Sequence, residues 1–129
     1  MRFGLPANTD TFEIPDDWWQ FAEMERFQPG PGGYYPYQVR AGNDVDVVPL
    51  ADVAPPQRNP GVPMLKKFKL VPILLAFQSP ECALPPVEVY HARSGPYRFT
   101  VHNGFHRFYG SVAAGYVYLP VLVREPLDL

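Results

Sequence analysis

Cysteine is almost missing from this chain. Cys82 is the only one, which excludes an internal disulfide and any cysteine-rich zinc site. A strong charge of one sign is missing too. Eleven basic and thirteen acidic residues leave a formal net charge of −2, so no global basic field draws in nucleic acid. No stretch approaches the ~20 consecutive apolar residues of a membrane helix. The opening residues MRFGLPANTD also lack the apolar run of a signal peptide. A cytoplasmic protein with no membrane association is expected.

Proline and aromatic residues, by contrast, are abundant. The seventeen prolines fall between apolar runs rather than in one block, which predicts short elements joined by rigid connections. Aromatics make up 15 % of the chain and hydrophobic residues 47 %, enough for a modest aromatic-rich core in one compact unit of 129 residues.

The first forty residues differ from the rest. Thr11 to Ile14 reads as a short extended segment, and Pro15-Asp16-Asp17 opens a helix, with acids opposing its dipole. Trp18, Trp19, Phe21, Ala22 and Met24 give that helix an aromatic face. A proline- and glycine-rich break over 28–33 follows, and Tyr34 to Tyr37 resumes in extended form. Residues 1–40 are expected to form an arm that packs on a domain of residues 41–129. An exposed aromatic patch there would instead bind a partner or a second copy of the chain, making a homo-oligomer.

Within 41–129, Asp44 to Val53 predicts a strand and a turn, with Val45, Val47 and Leu50 facing inward. Residues 54–63, APPQRNPGVP, must be a loop. LKKFKLVPILLAF carries apolar residues at helical spacing (65, 68, 71, 75), and Pro72 predicts two short pieces or a helix starting near it. Residues 87–101 alternate as a hairpin. Phe105, Phe108, Tyr109, Val112 and Ala113 then form one helical face, Gly115 a stop, and Leu119 to Val123 a buried strand. The order predicts an α/β (α+β) domain with a small mixed sheet and short helices.

The chemistry gathers at Asn103-Gly104-Phe105-His106-Arg107. Asn-Gly permits a positive φ or a close backbone approach. The helix start that follows exposes unpaired N–H groups and a positive dipole end, an anion site. His106 and Arg107, expected off the buried face, add donors, and Arg can grip a phosphate in a fork. A surface turn bearing a solvated arginine satisfies the same residues. Neither G-x-x-x-x-G-K-[ST] nor G-x-G-x-x-G occurs.

The stretch YRFTVHNGFHRFYGSVAAGYVYLPVLV resembles the ParB/sulfiredoxin-like family, in which a strand enters a G-x-[HR]-R turn, a helix, a glycine and a final strand. VDVVPLADVAPPQRNPG resembles its first strand and loop, and ALPPVEVYHARSGPYRF its hairpin, so the likeness spans residues 45–123. The resemblance implies phosphate or nucleotide binding at Gly104 to Arg107, with Gln57 and Arg58 joining from the loop. It implies ATP or CTP with Mg2+ as the ligand, and hydrolysis or phosphoryl transfer as the activity. Sulfiredoxins carry their reactive cysteine where this chain has Phe105, and Cys82 is far away in sequence, so sulfinic-acid reduction is not expected. The chain ends six residues after the last predicted strand, so partition by a DNA clamp is not expected either.

A metal-assisted reaction needs carboxylates near the phosphate. Asp44, Asp46, Asp52 and Glu88 are available, but their spacing identifies none as a ligand. His91 and His102 flank the hairpin without forming a metal signature. Ser94 and Ser111 lack a visible base. No catalytic residue or metal ligand is assigned. A nuclease or DNA-binding accessory of a plasmid, phage or defence system, using Lys66, Lys67, Lys69 and Arg107, is the competing reading.

Overall fold

A computed structural model describes residues 1–40, 42, 44–81 and 83–126. Cys82 lies outside the described residues. The chain opens with a hairpin of β1 (Arg2–Gly4) and β2 (Thr11–Glu13), in which Phe3 pairs with Phe12 across the ladder. Helix α1 (Asp16–Phe21) follows, with Pro15 at its N-cap and two acids in its first turn, as those residues dictate. Residues 34–37 form no strand, and only Tyr37 makes an isolated bridge, to Leu84.

The remaining elements are β3 (Asp46–Pro49), a 3-10 turn (Leu50–Asp52), β4 (Val53–Ala54), α2 (Lys67–Phe77), β5 (Val87–His91), β6 (Phe99–Asn103), α3 (Phe105–Ala114) and β7 (Tyr118–Val123). The five strands β3 to β7 form one mixed sheet in the order β3-β7-β5-β6-β4. The outer pair β3–β7 and the hairpin β5–β6 are antiparallel, while β5–β7 and β4–β6 are parallel. The expected α/β architecture with a small mixed sheet is the one observed. Among the described residues no helix is long and apolar enough to cross a membrane.

The core joins Val87, Val89, Phe99, Leu119 and Val121 of the sheet to Leu70, Leu74 and Phe77 of α2 and Phe108 and Tyr109 of α3. Gly110 marks where the two helices cross. A Cβ there would stand 3.3 Å from Ile73 Cγ2 and 3.6 Å from Leu70 Cδ1, so the missing side chain permits close packing. Gly115 ends α3 in the left-handed conformation, with its N–H bonded to the Val112 carbonyl. Trp19 is buried and lies 5.1 Å from Phe3, Trp18 is half-buried, and Tyr35 is fully buried with its ring 5.6 Å from Phe77.

Two expectations fail. In the first strand Val48 is buried and Val47 is 38 % exposed, whereas Leu50 faces inward as expected. Adjacent valines satisfy either register of a period-two pattern. Pairing with β7, which sets Val48 opposite Leu119, decides between them. The helix predicted within 65–77, observed as α2 (Lys67–Phe77), is also unbroken. Its 11 residues run through Pro72, and they bury Leu70, Val71, Leu74 and Phe77 while Phe68 is 72 % exposed. Pro72 lies on the solvent side, so the Phe68 carbonyl that loses its N–H partner can turn to water. Pro72→Ala restores that bond and should raise stability by about 1–2 kcal/mol, after allowance for the freer unfolded chain. Urea unfolding midpoints check the sign.

Candidate functional site

Strands β4 and β6 are parallel neighbours, so the segments leaving their C-terminal ends emerge at one edge of the sheet. From β4 comes the proline-rich loop that carries Gln57 and Arg58. From β6 comes the turn at Gly104. Sheet topology thereby unites two stretches more than forty residues apart in sequence.

Gly104 adopts φ 122° and ψ 32° as the N-cap of α3. A Cβ there would meet both Val87 methyls at 3.0 Å and the Arg107 Nη2 at 2.9 Å, so both conformation and space demand glycine. The first helical bond runs from the Phe108 N–H to the Gly104 carbonyl at 2.9 Å. The amides of Phe105, His106 and Arg107 precede it, and no side chain caps them. Anion-binding donors are therefore presented at this turn.

Two bonds tie the loop to α3. The Tyr109 hydroxyl donates to the Pro56 carbonyl at 2.6 Å, and the Lys66 N–H donates to His106 Nε2 at 3.0 Å. Between these anchors the Arg58 guanidinium stacks 3.8 Å above the Phe105 ring. His106 was expected off the buried face of α3, but it is 6 % exposed. The helix is covered on more sides than its apolar stripe indicates, because the loop closes over its first turn. Burial first, then Arg58, Lys69 and Lys66, push the His106 pKa down to about 4. The neutral ring accepts from Lys66 and is not a cation for an anion.

Loop, α2 and α3 enclose a cleft of about 540 Å³. Arg58, Lys69 and Arg107 line it with positive charge, and Phe68, Ile73 and Val101 supply apolar surface. Asn103, Gly104, Phe105, His106 and Gln57 are all in its walls. The geometry thus brings all seven residues expected at the phosphate site, Gln57, Arg58 and Asn103 to Arg107, to one cleft. Lys69, expected only in the nucleic-acid reading, and His102 also line the cleft, and Ile73 joins them without any signal in the sequence, because nothing in α2 tells which face meets α3. Arg107 lies along the floor. Its Nη2 donates weakly to the Asn103 carbonyl at 3.3 Å, and its buried Nε has no partner.

The other polar candidates lie apart. Asp52 pairs with Arg98 at 3.1 Å. Glu88 accepts from Asn103 Nδ2 at 2.9 Å and from Arg124 Nε at 2.6 Å, contacts that hold its carboxyl below the usual range, Asn103 foremost. Asp46 lies at an edge strand near His91. Asp44 is exposed, Ser94 lies in an exposed turn, and Ser111 is buried with its hydroxyl unpartnered. No carboxylate lines the cleft, and among the described residues no group of three His, Asp or Glu is placed to hold a metal. The donors present do not compose a magnesium site of their own. The Lys67 ammonium sits 5.0 Å above Phe21 of the arm, so Lys66, Lys67 and Lys69 do not share one face.

No family model matches the chain. No curated protein matches it either. The fold is similar to that of the C-terminally truncated chromosome-partitioning protein ParB from Caulobacter crescentus, solved in complex with CTP-gamma-S, at a TM-score of 0.50 and 21 % identity. The likeness covers 66 % of this chain and 46 % of that one, so this chain matches less than half of the other protein's length. It shows a ParB-like fold.

The buried His106 makes stability depend on pH. Its native pKa lies below the ordinary 6.5, so the unfolded chain takes up the proton first and stability falls as pH drops from about 6.5 toward 4. His106→Gln, whose amide oxygen can accept from Lys66, should flatten that part of the curve. Urea midpoints of both proteins between pH 7 and 4 check it, and parallel curves would refute it. Gly104→Ala should destabilise by about 1–3 kcal/mol in the same assay.

Proposed function

We propose that the cleft between the 55–66 loop, α2 and the start of α3 binds a nucleotide, with its phosphates at Gly104 to Arg107. The observation that carries this reading is the conjunction of three uncapped amides at a positive-φ glycine with Arg58, Lys69 and Arg107 around them. Amides and dipole favour negative charge, and guanidinium groups grip phosphate oxygens. The volume is within the range of small-molecule sites, and the apolar wall suits a base and ribose. The ParB neighbour, solved with CTP-gamma-S, makes CTP the first nucleotide to try and ATP the second.

His106 acts here by holding the loop through Lys66, and Phe105 by seating Arg58. Gln57 lines the cleft as a polar contact. Membership in the ParB/sulfiredoxin-like family is part of the same proposal. The reading stops at binding. Any Mg2+ would arrive on the phosphates. Calorimetric titration of CTP and ATP, with and without Mg2+, should give saturable binding to the wild type. Arg107→Gln should weaken it by at least about tenfold. Equal affinities for both proteins would overturn the assignment.

A further inference from the structure

Arg107 has a second neighbourhood. It also lines a separate cavity of about 210 Å³ on the strand side of the Gly104 turn. Arg40 and Arg124 share that cavity with Arg107, against one carboxylate, Glu88. Both oxygens of Glu88 are already occupied, by Asn103 and Arg124. Arg124 is therefore compensated, whereas Arg40 and Arg107 are not. Among the described residues neither Arg40 nor Arg107 has an ion-pair partner. An excess of two positive charges in one concavity runs against the net charge of the whole chain, −2. Three arginines thus line one concavity beside a single carboxylate.

Size and lining define the ligand. The cavity is smaller than the ~300 Å³ at which nucleotide-sized sites begin. Val45, Pro85, Pro86 and Leu122 form its apolar sides. Inorganic phosphate would leave that surface idle, but a short carbon chain would cover it. Planar guanidinium forks match a carboxylate in a bidentate pair. We infer that this cavity is a second binding site, taking a small organic acid of a few carbons through Arg40 and Arg107. It shares Arg107 with the proposed nucleotide cleft but is lined from a different side, and it does not depend on a nucleotide occupying that cleft.

The test uses succinate, at constant ionic strength, followed by amide chemical shifts of the full chain. Succinate should shift Arg40, Glu88, Leu122 and Arg124 saturably. Arg40→Gln should weaken that response by at least about tenfold and Arg40→Lys by less, since the charge remains without the fork. Because Arg40 is exposed, both variants should keep the wild-type spectrum elsewhere. Unsaturable shifts, an unaltered response in Arg40→Gln, or an equal response to inorganic phosphate would overturn the inference. CTP alone shifting Arg40, Leu122 and Arg124 as strongly as succinate does would also overturn it, by making the cavity part of the nucleotide site. CTP that fails to shift Phe105 to Arg107 while succinate still binds would sink the nucleotide reading alone.

Discussion

The parallel pairing of β4 with β6, though only two residues long, is the constraint on which the candidate site depends. Val53 opposite Phe99 and Ala54 opposite Thr100 set where the proline-rich loop leaves the sheet. Parallel strands discharge their chains at the same edge, so that loop meets the Gly104 turn rather than the opposite end of the sheet. The Tyr109–Pro56 and Lys66–His106 bonds then hold the two segments together. Both bonds are partly shielded from water, which makes each unpaired partner expensive and the closed loop correspondingly definite. Prolines at 55, 56, 60 and 63 lower the entropy lost when the loop is held.

Charge is distributed against the average of the chain. A formal −2 overall coexists with a cleft that carries Arg58, Lys69 and Arg107 and no carboxylate. Among the described residues four acids are paired elsewhere, Asp52 with Arg98, Glu13 with Arg2, Glu88 with Arg124 and Asp16 with the N-terminus. Net charge thus speaks to long-range attraction of polyanions, while a small anionic ligand responds to the local field inside a concave site. The same arithmetic explains why His106, ringed by cations and buried, stays neutral and becomes an acceptor instead of a donor.

The aromatic arm contributes to this arrangement from behind. Phe12 packs edge-on to Tyr109 at 4.9 Å, the residue whose hydroxyl anchors the loop at Pro56. Met24 and the Ala22 carbonyl receive the Gln78 amide at the end of α2, and Tyr35 stacks on Phe77. Phe12, Tyr109 and Pro56 therefore form a continuous path from the arm to the cleft. Phe21 and Tyr34 are the exposed aromatics of the arm, and Lys67 covers part of the former.

Much of this was legible in the residues alone. Asn103-Gly104 before an apolar helical stripe marks a strand end, a positive φ and a helix start, because only local sterics and hydrogen bonding are involved. The stop at Gly115, the hairpin within 87–101 and the inward Leu50 are of the same local kind. Where two solutions had equal local merit, pattern alone chose wrongly. Val47 and Val48 both fit a strand face until β7 selected a register, and the face of α2 depended on the crossing at Gly110. His106 shows the limit most clearly: a histidine beside an arginine at a helix mouth reads as a donor pair in one dimension. Only the loop arriving from β4 buries it, removes its charge and turns its ring nitrogen toward Lys66. Sequence by itself determined the turn, its glycine and the positive end of the helix, since these follow from backbone chemistry over a few residues. Tertiary structure decided which charges face the cleft and which are neutralised or buried, because that depends on partners brought from forty or more positions away.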